Sequence, residues 1–511
     1  MKRKIAMVMT VVSLLALAGG CSSGKQQNTA SNKLRYWLPL NSQLNSLASN
    51  LGETPFGQEL QKATGTEIEF IHSNSSDQFA LMLSSGDMPD IIEADWATYN
   101  GGPEKSIADG YIMNLNDVMK DKAPNIKVYL KEHPEIDKMV KMDEGNYYVF
   151  PFIRGDEELL VSTGPIVRKD WLDDLGMELP ETMDDWHTML TRFKNEKGAS
   201  TPLSFMNYSA MFNYGAFIGA YGINNTFFVQ DKTIHYGPME SGYKEFLQEM
   251  SKWYQEGLLD ANFMSVDSKA LDSSILNGKT GATVAGLGGG IGKYMGVAPD
   301  DKFDLCGTTY PVKNKGDRPM FSARQNQYSG FGAAISKNCK NVDLAAKVLD
   351  YNYSKEGTML NNFGIEGESY EMVDGYPKYT ELITKNPEGL AMANVMSKYV
   401  RSNWVGAFVQ DKRYIEQYSS LPQQQEALKL WMDTDAEQHI LPTLAFSSDQ
   451  SSELADIMST ITTYQDEQMV KFIMGTRSID EFDDYVNEMK KMGIEKAIEI
   501  YQAAYDTYDK N

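Results

Sequence analysis

An α/β fold with a parallel sheet is predicted by residues 33–93, where three short apolar runs alternate with two segments of helical pattern. LRYWLP, from Leu34, reads as a strand; TEIEFIHS at 66–73 alternates apolar and polar residues as a half-buried strand does; Asp90-Ile91-Ile92-Glu93 is the third run. Between them, Gly52 through Lys62 and Gln78 to Ser85 carry helical spacing, the second segment broken by Gly86 and Pro89. Parallel strands need long crossovers, and these helices supply them. In open sheets of this kind ligands sit beyond the carboxyl ends of the strands, which directs attention to the segments just after Trp37, Ser73 and Glu93.

Later elements keep the mixed character. YYVFPF, after Asn146, reads as a strand; a turn at Arg154 to Glu158 leads to a second, LLVST, and then to the helix-like WLDDLGM. Thr182 caps a helix through Phe193, with Asp184 and Asp185 placed to favour its positive end. TGATVAG at 280–286 and GFGAAIS at 330–336 are further strands, and from about Ser420 the pattern is almost continuously helical. No internal repeat, low-complexity tract or heptad array is present.

The 511 residues, 42% hydrophobic and 23% charged, fit about two or three domains. A formal charge of −22 argues against a nucleic-acid partner, which would be gripped through clustered Lys and Arg. At the N-terminus, Lys2, Arg3 and Lys4 precede an apolar run from Ile5 to Leu17 and the small residues Ala18-Gly19-Gly20, the layout of an export signal. Cys21 follows directly, and in this the run resembles a bacterial lipoprotein signal. The resemblance implies removal of residues 1–20, diacylglycerol on the Cys21 thiol and a polar linker over 21–32. No later run approaches the roughly 18 apolar residues of a membrane span. Cys306 and Cys339 are then open to pairing in a disulfide or to separate burial as thiols.

Catalytic and metal motifs are missing from the residue pattern. The five histidines, His72, His133, His187, His235 and His439, are scattered and none falls in a ligand spacing, so no metal site and no cofactor is expected. GLGGGIGK at 286–293 departs from both the dinucleotide fingerprint and the phosphate loop, and reads as a flexible loop whose backbone approaches a ligand. No nucleophile elbow occurs.

Aromatic residues are more informative, at 11% of the chain. They gather in loops and glycine-rich stretches: Trp37; Trp96 and Tyr99 in EADWATYNGG; Tyr208, Phe212, Tyr214 and Phe217 in FMNYSAMFNYGAFIGAYG; Tyr328; Phe363. Sugar rings present a C–H face and a rim of hydroxyls, so sugar sites combine aromatic platforms with hydrogen-bonding side chains, and Asp95-Trp96 just after a strand end suits this. Packing of the same rings in a core is the alternative.

Several runs together resemble the extracellular solute-binding proteins of carbohydrate ABC importers, in the large lipoprotein subgroup typical of Firmicutes. They are SSGDMPDII at 84–92, NYYVFPFIR at 146–154, IVRKDWLDDLGMELPETMDDW at 166–186, FLQEMSKWYQEGLLDANF at 246–263, FGIEGESYEMVDGYPKYTE at 363–381 and IMSTITTYQDEQMVKFIMG at 457–475. The resemblance implies a type II two-lobed periplasmic-binding-protein-like fold with a cleft between discontinuous α/β lobes. Lobe 1 is expected over 33–157 plus about 308–365, and lobe 2 over 158–307 plus about 390–511, with crossings near Pro151 to Thr163 and Thr308 to Ser336. It further implies a monomer on the outer face of the cell membrane that closes on an oligosaccharide and presents it to a permease, without catalysis. Many relatives carry a calcium-like loop that here reads FKNEKGASTPLSF, with Asn195, Glu196 and Gly198 but too few oxygen ligands, so calcium is not carried over.

Trp37, Asp95 and Trp96 are expected on the first lobe's side of the cleft, Tyr214 and Phe217 on the second, and Phe363 and Glu366 near the hinge. Arg154 is expected either to hold a hydroxyl or uronate or to pair with Glu157 or Glu158. A receptor for another solute, such as a peptide, and a glycoside-active enzyme are the competing functions.

Overall fold

The computed structural model describes residues 32–73, 76–142, 144–206 and 215–510; Cys21 and its leader lie outside them. The first sheet has five strands: β1 (Lys33–Pro39), β2 (Glu67–Ser73), β3 (Ile91–Asp95), β4 (Phe150–Pro151) and a strand from much later in the chain, Phe331–Ile335, in the order β2-β1-β3-(331–335)-β4. β1 runs parallel to both β2 and β3, with Tyr36 opposite Phe70 and Ile91; the late strand is antiparallel to β3 and β4. Residue choice follows position. β2 lies at the edge and alternates exposed Glu67 and Glu69 with buried Ile68 and Phe70, whereas Ile91 and Ile92 of β3 are buried as in a covered parallel strand. The crossover helix Pro55–Thr64 begins with Thr54 accepting from the Gly57 N–H and Pro55 in the first turn, and ends at Gly65 in the left-handed conformation.

After β5 (Ile153–Arg154) the chain enters a second core. β6 (Thr163–Arg168) sits there between two antiparallel neighbours, Ala282–Gly286 and Leu305–Gly307, and a hairpin, β7 (Phe227–Gln230) with β8 (Thr233–Tyr236), lies apart. We number Ala282–Gly286, Leu305–Gly307 and Phe331–Ile335 as β9, β10 and β11. The helix Met183–Glu196 is capped as its sequence predicts: Thr182 accepts from the Asp185 N–H, and Asp185 accepts from the Thr182 N–H. Its Met183, Trp186, Met189, Leu190 and Phe193 form one buried stripe.

Two large apolar clusters result, the cores of a two-lobed α/β molecule. One joins residues from Leu34 to Ile153 with Tyr328 to Leu360; the other joins Val161 to Phe321 with Ala427 to Ile500. A third, small cluster packs Leu159, Phe363, Tyr370, Tyr379, Tyr399 and Tyr414, and includes the hairpin β12 (Tyr370–Val373) with β13 (Tyr376–Tyr379). The passage from the second core back to the first falls between Phe321 and Tyr328, within the expected Thr308 to Ser336, because Tyr310 and Phe321 still bury their rings in the second core. The crossings are bonded to one another: Arg154 N–H donates to Gln327 O at 2.9 Å, Gln325 N–H to Leu160 O at 2.9 Å, and β5 pairs with β14 (Val409–Gln410).

Several expectations are corrected. LLVST does not form a strand over its length; Glu157–Leu159 is a tight turn of helix and the strand starts at Thr163, because Leu159 and Val161 point into different cores. The glycine run is no open loop but a wide helical turn, Leu287–Gly292. A methyl at Gly288 would meet the Tyr418 ring at 2.5 Å and one at Gly290 the Ala285 side chain at 2.7 Å, so these glycines serve close packing within the protein. The helical C-terminal portion is interrupted at 441–447, where Leu441-Pro442 breaks the pattern before the helix Ser448–Ile473. Cys306 and Cys339 are free thiols in separate cores, and burial pushes each up to about 12.

Candidate functional site

Beyond the carboxyl ends of β1, β2 and β3 lies a concavity of about 700 Å³. Its lining follows the strand ends: Trp37 and Pro39 from β1, Ser73 from β2, and Glu93 and Asp95 from β3, joined by Thr98, Tyr99 and Asn100 from the loop after β3 and by Phe331 from β11. These are the segments that the open-sheet rule singles out. The helix Ser76–Ser85, which follows β2, adds Phe79 and Leu83.

The aromatic rings form a continuous row. Trp37 and Phe79 are 5.4 Å apart between centroids, Phe79 meets Trp96 edge-on at 5.5 Å, and Trp96 leads to Tyr99 at 6.4 Å. Phe79 and Tyr99 are partly exposed, while Trp37 is 6% exposed. Trp96 is 0% exposed and is absent from the lining; its indole N–H donates to Ile92 O at 3.3 Å. The expectation of Trp96 as a sugar platform is thus corrected. Side chains alternate along extended chain, and the step from Asp95 to Trp96 turns the indole into the core, where it supports Phe79 and Tyr99 from behind.

Two carboxylates face the space. Glu93 is fully buried, with Tyr36 OH donating to it at 2.7 Å and Arg401 Nη2 at 2.6 Å, so the floor is a closed ion pair that reaches into the third cluster's segment. Asp95 is half-buried and accepts from the Ala97 N–H at 3.2 Å; burial raises its carboxyl above the usual range. Tyr99 donates to Asp109 at 3.3 Å, and its phenol is pushed up to about 12 by burial first and then by Tyr111 and Asp109.

Other expected site residues fall elsewhere. Phe217 is sealed at 0% exposure between Trp186, Phe205 and Trp253, so a ligand cannot reach its faces. Phe363 is likewise buried, against Tyr370 and Tyr379 in the third cluster. Glu366 is exposed in the loop before β12 and does not line this concavity. Tyr214, with Tyr208 and Phe212, lies outside the described residues. Arg154 pairs with neither Glu157 nor Glu158, which bind Arg324 and Lys412; its guanidinium lies over the Phe152 ring and donates to Asn326 O at 3.4 Å, and burial lowers it to about 10. In the calcium-like loop, the Glu196 carboxylate is taken by Arg192 at 2.6 and 3.1 Å. Phe79 and Phe331 escape the sequence reading; the signal for Phe79 was its place in the first turn of the helix that follows β2.

Comparison with known proteins places the chain as a whole. Fructooligosaccharide ABC transporter substrate-binding protein FusA of Streptococcus pneumoniae is 25% identical over 488 residues, covering 89% of this chain and 87% of that protein. Lipoprotein LipO of Bacillus subtilis is 26% identical over 421 residues, 76% of this chain and 78% of its own. Among solved structures, the alginate-binding protein AlgQ2 without calcium superposes with a TM-score of 0.75 at 21% identity, covering 93% of this chain and 97% of that one. Among the described residues no helix is long and apolar enough to cross a membrane. The family model of bacterial extracellular solute-binding proteins matches residues 48–359, and the chain belongs to that family.

Proposed function

We propose that the protein is a lipid-anchored extracellular receptor that captures an oligosaccharide by hinge closure and delivers it to the permease of an ABC importer. The observation that carries this reading is the concavity at the strand ends, where part-exposed Phe79 and Tyr99 stand beside the half-buried Asp95, the pairing that a sugar's C–H face and hydroxyl rim require. The name of FusA, a fructooligosaccharide-binding relative, supports it.

Closure works through the crossings. Short paired segments at Ile153–Arg154, 325–327 and Val409–Gln410 join the lobes, so small backbone rotations there swing one lobe against the other. Ligand that touches both lobes favours the closed form by its extra contacts, and the permease reads that form. A diacylglyceryl group at Cys21 supplies two acyl chains, enough for stable anchoring, and the polar residues to Asn32 act as the tether. The receptor acts as a monomer and makes no covalent change in its ligand.

Titration with a panel of oligosaccharides, followed by tryptophan fluorescence and calorimetry, tests the reading. Saturable binding of at least one glycan, recovered intact after prolonged incubation, is expected. Silence across the panel with binding of peptides would replace it by a peptide receptor, and release of shortened glycan would indicate an enzyme.

A further inference from the structure

The relation of charge to place around the concavity goes further than the class of ligand. We infer that the sugar seated against β1, β2 and β3 is uncharged, and that Asp95 is the residue that excludes uronate sugars; this rests on the oligosaccharide reading above.

Asp95 and Glu93 are the charged residues of the lining, and Lys, Arg and His are absent from it among the described residues. The segments 74–77 and 207–214, NSSD and NYSAMFNY, contain no Lys, Arg or His either. Glu93 has its charge answered: Arg401 and Tyr36 bond one carboxylate oxygen each. Asp95 has no such cation. Its carboxylate is steadied by the backbone N–H groups of Thr98 and Ala97, the latter at 3.2 Å from Oδ1, and no cation or side-chain hydroxyl bonds it among the described residues. The side chain is also held by its surroundings. Asp95 pairs with Phe331 across β3 and β11, and preceding Phe331 is Gly330 at φ +99, where a Cβ would stand 2.7 Å from Asp95 Oδ1.

Cations near the crossings are committed elsewhere. Arg324 binds Glu157 at 2.6 Å and reaches Glu437 at 3.6 Å, Lys412 binds Glu158 at 3.0 Å, and Arg154 rests on Phe152 without lining the concavity. A sugar hydroxyl can donate to Asp95 in a charge-assisted hydrogen bond. A uronate carboxylate in its place sets like charges close together in a half-buried site, where solvent and salt screen them poorly, and no cation offsets the repulsion.

The experiment titrates the protein by calorimetry with two length-matched series, uncharged oligosaccharides (fructo-, gluco- and galacto-oligomers) and uronate oligomers (oligogalacturonate and alginate oligomers), and repeats both on Asp95→Asn. Asparagine keeps an acceptor for the Ala97 N–H while removing the charge. Expected are at least tenfold tighter binding of the best uncharged oligomer than of any uronate oligomer, and a gap severalfold narrower in Asp95→Asn through improved uronate binding. Uronate oligomers binding as tightly as uncharged ones overturns the inference but leaves the oligosaccharide reading standing, and so does an unchanged gap in a folded Asp95→Asn. Silence to both series overturns the two together. The ratio in the unaltered protein decides even where the variant does not fold.

Discussion

Two aromatic groups, one in each lobe, are used in opposite ways. In the second, Trp186, Phe217 and Trp253 meet edge to face at 4.9 and 5.7 Å with no exposure, and their surface is spent entirely on stability. In the first, Phe79 and Tyr99 remain partly open above a buried Trp96. Residue type does not separate the two sets. What separates them is the backbone beneath: rings of the first set stand at the carboxyl ends of parallel strands, where the sheet leaves an edge uncovered, whereas those of the second lie between a helix stripe and its neighbours.

The contrast can be broken from either side. Phe217→Ala removes a ring from the sealed core and should destabilise the protein by about 3–5 kcal/mol, read from urea midpoints, with ligand affinity of the folded fraction unchanged. Arg401→Met is expected to cost a similar amount, about 3–5 kcal/mol, since it leaves Glu93 charged and unpaired beneath the concavity. A second change at Glu93→Gln in that background should recover part of the loss, as a double-mutant cycle would reveal. Phe79→Ala should do the reverse of Phe217→Ala: affinity for the best oligosaccharide falls about tenfold, about 1.4 kcal/mol, while the urea midpoint moves little.

The smallest effect concerns His72, which ties the strand ends together: its Nε2 accepts from the Leu51 N–H at 3.0 Å and its Nδ1 faces Leu38 O at 3.3 Å. Burial lowers the imidazole below its ordinary 6.5. The unfolded chain therefore takes up a proton near pH 6.5 that the folded protein refuses until lower pH. Stability from this group is present above pH 6.5 and is lost as pH falls through the folded value. Urea midpoints at pH 7.5 and 5.5 should differ less in His72→Gln than in the unaltered protein.

Much of the first lobe was legible because its elements are local. Alternation in TEIEFIHS, the cap at Thr182 and the strand-helix rhythm of 33–93 each depend on neighbours in the chain, and the rule for strand ends then located the concavity. Trp37 and Asp95 are in it for that reason. Trp96 was misjudged by a single step of alternation, since one residue decides whether a ring faces ligand or core. Phe217 and Phe363 were misjudged because burial by elements distant in the chain leaves no local trace: Trp253 and Tyr379, which cover them, are 36 and 16 residues away in number. The glycine run was misread for the same cause, as Tyr418 and Gln424, distant in the chain, stand against Gly288 and Gly292. The position of the return crossing depends on which core takes Phe321, a choice made by tertiary packing alone.

A crystal structure with the tightest-binding uncharged oligosaccharide tests the central claim most directly. The expected density sets a sugar ring against Phe79 and Tyr99, with a hydroxyl within hydrogen-bond distance of Asp95 and the lobes drawn together about 153–154, 325–327 and 409–410. An oligosaccharide bound elsewhere, with the concavity beyond β1, β2 and β3 free of sugar, would contradict it.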